Sequence, residues 1–128
     1  VVPGARALID ALRDQNLTLA VVTNNLVEEQ TDKLRHLDLA DAFDAVVISE
    51  ALGISKPDAR IFEHTLELIG IDAADAVMVG DSLERDVEGA EQVGIRGVWF
   101  DRTASSRAGD AVLHSLEPLD EALRVILA

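Results

Sequence analysis

The sequence contains no cysteine, which excludes disulfide bonds and thiolate metal sites. It also has no run approaching the roughly 18 consecutive apolar residues that a membrane-spanning helix needs. No basic segment followed by an apolar one stands near the start, so no signal peptide is recognisable. These absences predict a protein of the cytoplasm that has no membrane partner.

Positive charge is scarce. The chain has 11 basic and 24 acidic residues, which gives a net charge of −13 at pH 7. Such a field repels nucleic acid and anionic surfaces over long range, so we expect no nucleic-acid partner. A phosphorylated small molecule would be repelled as well, unless its site carried local positive charge. Most of the carboxylates are therefore interpreted as a solubilising surface.

Methionine is almost absent, since Met78 is the only one and the chain begins with Val1. A natural chain normally starts with methionine. We therefore expect the sequence to be a piece of a longer polypeptide, with a missing N-terminal segment as its partner. The alternative is that this segment comes from another chain.

The 128 residues, of which 48% are hydrophobic, fit one domain spanning residues 1–128. Short apolar runs alternate with longer stretches of helical periodicity, a pattern typical of an α/β fold with a mainly parallel sheet. The predicted strands are 17–22, 45–48, 76–79, 95–100 and a short edge strand at 111–113. The predicted helices are 3–16, 26–37 capped by Asn25 and Glu28, 57–69 with Pro57 in its first turn and Gly70 at its end, 83–93 closed by Gly94, and 118–127.

Polar side chains follow the predicted strands at the points where those strands end. They are Thr23-Asn24 after the first strand, Ser49-Glu50 and then Lys56 after the second, Gly80-Asp81-Ser82 after the third and Asp101-Arg102 after the fourth. Because ligands bind at the carboxyl ends of parallel strands, we expect these groups to converge on one edge of the sheet. Taken singly, each has an ordinary explanation as a cap, a turn or an exposed lysine, and Asp81 with Glu84 would form a capping box.

Together these residues suit the binding of a phosphoryl group, which carries charge on three equatorial oxygens during transfer. Thr23 and Asn24 supply donors, and Lys56, one of only two lysines in the chain, supplies a fixed cation. Asp81 supplies a hard oxygen ligand for Mg²⁺. Asp86 lies five residues later, where it would hold Lys56 or a metal-bound water. The scattered histidines do not look like metal ligands, and Trp99 and Phe100 are interpreted as packing residues.

Three segments in order resemble the second, third and fourth motifs of haloacid dehalogenase-like hydrolases. They are Val21-Val22-Thr23-Asn24, Ser55-Lys56-Pro57-Asp58, and Val79-Gly80-Asp81-Ser82 through Asp86. The resemblance covers nearly the whole chain, and the residues around the motifs are most similar to those of family members with a helical cap. One such motif would be weak, whereas three at suitable spacing are a strong signal.

The resemblance implies a three-layer, Rossmann-like core and Mg²⁺-dependent transfer of a phosphoryl group from a small phosphorylated metabolite to an aspartate. By that analogy Thr23 and Asn24 bind the phosphate, and Lys56 neutralises charge on the phosphate and the nucleophile. Asp81 binds Mg²⁺, and Asp86 and Ser82 hold Asp81 in place without contacting the metal themselves.

The sequence departs from the family at its first motif, an Asp-x-Asp stretch whose first aspartate is the nucleophile. No such stretch is present, because Asp72 and Asp75 have the wrong spacing and precede a strand. The cap, which sets the substrate in this family, is missing as well. In the family the nucleophile strand lies between the strand ending at Thr23 and the one ending at Gly80, so we expect an open slot there. This chain alone is therefore predicted to be inactive.

Two other interpretations remain open. A 2-haloacid dehalogenase of the same fold needs no Mg²⁺, and the phosphatase-like spacing of Asp81 and Asp86 argues against it. A non-catalytic binding module of the same fold agrees with the absence of a nucleophile from these residues.

Overall fold

The computed structural model describes residues 3–24, 42–103 and 111–128. Strands and helices alternate through this part of the chain, as the apolar pattern predicts. In chain order the elements are α1 (Ala5–Asp14), β1 (Ala20–Thr23), β2 (Ala45–Ile48), α2 (Ser49–Leu52), α3 (Ala59–Ile69), a 3₁₀ turn (Ala73–Asp75), β3 (Val77–Gly80), a π-helical segment (Leu83–Glu88) continuing into α4 (Gly89–Glu91), β4 (Arg96–Phe100), β5 (Val112–Leu113) and α5 (Leu119–Ile126). The helix predicted at 26–37, with its cap at Asn25 and Glu28, lies outside the described residues.

All the strand pairs of the described residues are parallel. β1 pairs with β2 from Ala20↔Ala45 to Thr23↔Ile48, and β4 lies between β3 and β5 in a second sheet. Within the ranges that the structure describes, no ladder joins the first sheet to the second. The short strand at Val112–Leu113 is the edge strand that the sequence predicts.

Helices cover the sheets on two sides, which gives the predicted three layers. α1 and α5 enclose one hydrophobic cluster with Val98 and Phe100 of β4. The second cluster is built around Ile61 and Phe62 of α3, and Val22 of β1 and Met78 of β3 both pack against it. The two sheets therefore share one hydrophobic layer although no ladder connects them.

The first strand is shorter than the predicted 17–22 and begins only at Ala20. The backbone groups of Leu19 are already engaged by Asp44, since the Leu19 N–H donates to Asp44 Oδ2 at 2.8 Å and the Leu19 carbonyl accepts from the Asp44 N–H at 2.7 Å. Leu17 is 40% exposed. The apolar run thus continues before the strand without being part of it.

Helix α3 begins after Asp58 and not at Pro57, so the placement of Pro57 in its first turn was wrong. The Asp58 carboxylate caps the helix by accepting from the Arg60 N–H at 2.9 Å. Its hydrogen bond with the Arg60 side chain also lowers the pKa of Asp58 from 3.8 to about 2. Gly70, with φ of 67°, ends the helix as predicted.

The helix predicted at 83–93 is π-helical over its first six residues. The Ser82 carbonyl accepts from both the Asp86 N–H at 2.9 Å and the Val87 N–H at 3.3 Å, and the second bond is the wide spacing of a π-turn. Ser82 Oγ caps the segment by accepting from the Arg85 N–H at 3.1 Å. The capping box predicted for Asp81 and Glu84 is therefore replaced by a Ser82 cap.

The last helix is fixed to the start of β4 by an arginine. Arg96 Nη1 donates to the Ile126 carbonyl at 3.0 Å, and Arg96 Nη2 donates to the Val125 carbonyl at 2.8 Å. Carbonyls at a helix C-terminus have no partner within the helix, so this fork satisfies two of them. No helix of the described part is long and apolar enough to cross a membrane.

Candidate active site at the carboxyl ends of the strands

The structure brings the polar residues predicted from sequence to the carboxyl ends of β1 and β3. Thr23 is the last residue of β1 and lies opposite Ile48 of β2. Asn24 follows it, Lys56 lies in the loop before α3, and Asp81 follows Gly80 at the end of β3. A continuous set of contacts links Asn24, Lys56, Asp86 and Ser82, while Asp81 stands beside this set on the exposed side.

The centre of the site is an ion pair between Lys56 and Asp86. Lys56 Nζ lies 2.5 Å from Asp86 Oδ1, and the two side chains are only 11% and 5% exposed. A charge this far from water is costly unless it is paired and hydrogen-bonded. The second oxygen, Asp86 Oδ2, accepts from the Ser82 N–H at 3.1 Å, so both carboxylate oxygens are satisfied. Of the two roles considered for Asp86, the geometry therefore favours holding Lys56.

Gly80 makes room for this carboxylate. A Cβ added at Gly80 would overlap Cβ, Cγ and Oδ2 of Asp86. Gly80 does not have a positive φ, so the need for glycine here is steric and not conformational. The π-turn before Asp86 and the missing side chain at Gly80 together place the carboxylate against the end of β3.

The side chain of Asn24 makes two hydrogen bonds to the backbone of Lys56. Asn24 Oδ1 accepts from the Lys56 N–H at 2.9 Å, and Asn24 Nδ2 donates to the Lys56 carbonyl at 3.2 Å. Both polar ends of this amide are thus used to position the lysine. The sequence singled out Asn24 as a phosphate donor, and the structure adds that its side chain orients the loop carrying the cation.

The residue after Lys56 is also packed tightly. The Lys56–Pro57 peptide bond is cis, and a Cβ added at Gly89 would lie 3.1 Å from Pro57 Cβ and 2.9 Å from Phe62 Cε2. Gly89 therefore allows the loop and α3 to approach the turn that carries Asp86. The lysine is fixed from its backbone on one side and from its amine on the other.

Asp81 differs from the other acidic groups of the site because its side chain is exposed and, within the described ranges, makes no hydrogen bond or ion pair. The carboxylates of Asp86, Asp101 and Asp58 are all engaged. Mg²⁺ is usually bound in proteins by one or two carboxylates together with substrate phosphate and water. One available carboxylate at a strand end fits part of such a site. Among the described residues no cluster of three or more His, Cys, Asp or Glu side chains is assembled for a metal.

One residue near Asp81 was not recognised from the sequence. The indole Nε1 of Trp99, which was interpreted as a packing residue, donates to the Asp81 carbonyl at 3.2 Å. Phe100, its neighbour, does pack in the core. Asp101, only 3% exposed, accepts from Thr103 Oγ1 at 3.0 Å and lines a surface pocket with Asp81 and Trp99. The register that pairs Gly80 with Trp99 in adjacent strands accounts for the Trp99 contact, and the sequence alone does not show this register.

Comparison with known proteins identifies the family. The family model for haloacid dehalogenase-like hydrolases matches residues 1–100. A glyceraldehyde 3-phosphate phosphatase from Pyrococcus abyssi is 39% identical over 99 residues, which are 77% of this chain and 42% of that protein. A phosphoserine phosphatase from Thermus thermophilus is 42% identical over 100 residues, or 78% of this chain and 40% of that protein. The chain belongs to the haloacid dehalogenase-like hydrolase family.

Solved structures agree on the fold. A phosphatase of the family from Thermococcus onnurineus superposes with a TM-score of 0.84 at 34% identity, over 96% of this chain and 58% of that one. A 2-haloacid dehalogenase from Pseudomonas syringae gives 0.81 at 35% identity, over 96% and 53%. The magnesium-bound hydrolase YfnB from Bacillus subtilis gives 0.83 at 29% identity, over 95% and 54%. This chain therefore spans about two-fifths of the two phosphatases and just over half of the solved structures.

Proposed function

We propose that the intact protein is a Mg²⁺-dependent phosphatase of a small phosphorylated metabolite, and that its nucleophilic aspartate lies outside these 128 residues. The observation that carries the proposal is the buried Lys56–Asp86 pair beside the exposed carboxylate of Asp81, which has no partner among the described residues. In this arrangement a paired cation and an exposed carboxylate lie near the carboxyl ends of parallel strands, which supports a site for a phosphoryl group and a metal ion. The similar phosphatases and the magnesium-bound relative support the same assignment.

Each site residue has a role in this proposal. Lys56 neutralises charge on the phosphate and the nucleophile, while Thr23 and Asn24 contribute donors at the end of β1 and Asn24 also orients Lys56. Asp81 holds Mg²⁺, which when bound supplies positive charge to the phosphate oxygens. Asp86 and Ser82 keep Lys56 and Asp81 in place.

The arrangement of the strands supports a missing central segment. β1 and β3 belong to separate sheets in the described part, and residues of both pack on the same hydrophobic cluster. Unpaired strand edges carry backbone groups that need partners. We propose that a strand from an N-terminal segment of the same protein pairs with these edges and carries the nucleophile. The domain of residues 1–128 would then be the larger part of one core.

The proposed reaction has two steps. A carboxylate oxygen of the nucleophile attacks the phosphorus, the bond to the substrate oxygen breaks, and that oxygen takes a proton from a general acid in the missing segment. The same group, now deprotonated, then takes a proton from a water molecule that attacks the aspartyl-phosphate. This step releases inorganic phosphate and restores both the carboxylate and the general acid. Lys56 stabilises the charge that develops on the phosphoryl oxygens in both steps. We propose a cytoplasmic setting for this reaction.

The test is an assay of the intact protein on a panel of phosphate esters with Mg²⁺. Asp81→Asn should lower kcat/KM by at least about 100-fold, the scale on which a single electrostatic group acts at a transition state. Asp75→Asn is the matched control, because Asp75 is an exposed aspartate in the 3₁₀ turn before β3, at the opposite end of that strand from Asp81. Full activity of the Asp81→Asn variant would show that Asp81 is not the metal ligand, and the proposal would then fail.

A dehalogenase is the second candidate, because one of the similar solved structures is a 2-haloacid dehalogenase. That activity needs no Mg²⁺, so a chelator separates the two. Turnover of a 2-haloacid that persists in the chelator, with no turnover of phosphate esters, would favour the dehalogenase. The 128-residue chain alone should form no phospho-aspartate under any of these interpretations. If the protein is a non-catalytic binding module, the intact protein should show no turnover either.

A further inference from the structure

We propose that Trp99 is a positioning residue for Asp81. This inference rests on the proposed function, in which Asp81 holds Mg²⁺. β4 runs parallel to β3 with Trp99 opposite Gly80, so the indole stands beside the residue that follows Gly80. Its Nε1–H donates to the Asp81 carbonyl at 3.2 Å.

The Asp81 carbonyl belongs to the same peptide unit as the Ser82 N–H. That N–H donates to Asp86 Oδ2 at 3.1 Å, and Asp86 is itself paired with Lys56. The peptide is therefore held at its oxygen by Trp99 and at its nitrogen by Asp86. Because a peptide unit is planar, two such bonds fix its orientation and with it the position of the Asp81 α-carbon.

Packing does not explain the tryptophan. Val98 and Phe100, its neighbours on β4, are buried in the cluster with α1 and α5. Side chains alternate across a strand, so Trp99 lies on the other face, where it is half-buried and lines the pocket with Asp81 and Asp101. The exposed Asp81 side chain makes no bond of its own within the described ranges, so its orientation depends on the peptide that carries it.

Losing the indole N–H should allow Asp81 to sample more orientations and weaken Mg²⁺ binding. One hydrogen bond corresponds to roughly a three- to tenfold change in a dissociation constant. At saturating Mg²⁺ the ion itself restores the orientation, so kcat should change less than twofold. This split between metal affinity and turnover is the signature of positioning, because general loosening of the fold would lower both.

The experiment measures Mg²⁺ binding calorimetrically in the intact protein for Trp99→Phe, which keeps an aromatic ring and removes the donor. Val98→Ala is the matched control, since it alters the adjacent core residue of the same strand, which does not line the pocket with Asp81. We expect the Mg²⁺ dissociation constant to rise three- to tenfold in the first variant and to stay unchanged in the second, although the second lowers Tm. An unchanged constant in Trp99→Phe, or an equal rise in Val98→Ala, would overturn the inference.

A second measurement follows the indole N–H resonance of Trp99 in the intact protein. That resonance is assigned by its loss from the spectrum of Trp99→Phe, and it reports directly on this bond. Adding Mg²⁺ should shift that resonance and slow its exchange with solvent, and an unaffected resonance at saturating Mg²⁺ would contradict the inference. If the wild-type protein binds no Mg²⁺ by calorimetry, the proposed function itself fails and the inference with it. Mg²⁺ binding that is unaffected by the Trp99→Phe substitution would refute only the inference.

Discussion

Gly80 and Asp86 are in such close contact that any side chain at position 80 would displace the carboxylate. Gly80→Ala should therefore separate Asp86 from Lys56, lower kcat/KM by about 100-fold and reduce the free energy of unfolding by about 2 kcal/mol, as for overpacking. Gly70→Ala is the control, because Gly70 has a positive φ and no atom near its missing Cβ. That change strains the backbone and should leave activity intact. Wild-type activity of Gly80→Ala would show that the Asp86 position is unimportant.

The Lys56–Asp86 pair should show strong coupling in a double-mutant cycle. Lys56→Met leaves a carboxylate that is 5% exposed without its cation, and such a loss costs about 3 kcal/mol of unfolding free energy. Adding Asp86→Asn to it should recover part of that cost, since no buried charge remains. Urea denaturation measures each corner of the cycle. Asp10→Asn, in the exposed pair with Arg6, should cost only about 0.5 kcal/mol. If the two substitutions change the free energy of unfolding in a strictly additive way, the side chains of Lys56 and Asp86 do not interact.

Asn24 should protect the Lys56 amide from hydrogen exchange, because its Oδ1 accepts from that N–H at 2.9 Å. Asn24→Ala removes the acceptor and should speed exchange of the Lys56 amide by about tenfold, as expected for one lost hydrogen bond. Asn24→Asp keeps the acceptor oxygen and should retain most of the protection. Exchange measured by NMR distinguishes the two. Equal exchange in wild type and Asn24→Ala would show that the backbone contact is not maintained in solution.

Asp58 should make the start of α3 sensitive to acid. Its pKa is lowered from 3.8 to about 2 in the folded protein, chiefly by its hydrogen bond with the Arg60 side chain. A group whose folded pKa is depressed contributes stability above its unfolded pKa, and that contribution is lost as the pH falls. The stability difference between wild type and Asp58→Asn should thus be full above about pH 4 and vanish towards about pH 2.

Thermal denaturation across that pH range measures the Asp58 effect. Arg60→Gln removes the main cause of the shift and should flatten the same part of the curve. A difference between wild type and Asp58→Asn that stays constant from neutral pH to about pH 2 would contradict the assignment.

Arg96 should contribute to stability through the last helix. Its two hydrogen bonds to the Val125 and Ile126 carbonyls come from a charged donor, so Arg96→Ala should cost about 2 kcal/mol. Arg96→Lys cannot form both arms of the fork and should recover only part of this loss. Amide exchange should rise first in the last turn of α5. A loss spread evenly over the protein would point to a different cause.

The sequence predicted the alternation of strands and helices and the edge of the sheet at which Lys56 and Asp81 lie. Those features follow from apolar periodicity and from the rule that parallel strands present their carboxyl ends together. It could not predict the partners of individual groups. That Asn24 bonds to the Lys56 backbone depends on a loop conformation that periodicity does not encode. The start of β1 at Ala20, directly after Leu19, was likewise decided by a side chain from another segment, Asp44.

The same limit applies around β3. The helical pattern of residues 83–93 gave no sign of the π-turn, which arises because the Ser82 carbonyl accepts from two successive N–H groups. The hydrogen bond of Trp99 was missed because an apolar strand residue is interpreted as core by default. Only the register between β3 and β4 shows that its N–H reaches Asp81.

The Arg96 fork has a practical consequence for attaching the protein to a solid support. Arg96 is the first residue of β4, so the final turn of α5 lies at the amino end of that strand, opposite the edge that carries Asp81. Leu127 is exposed there, and these 128 residues contain no thiol to compete with a cysteine placed at that position. A surface coupled through Leu127→Cys would hold these residues at the end opposite Asp81 and leave the edge that carries Asp81 facing the solution.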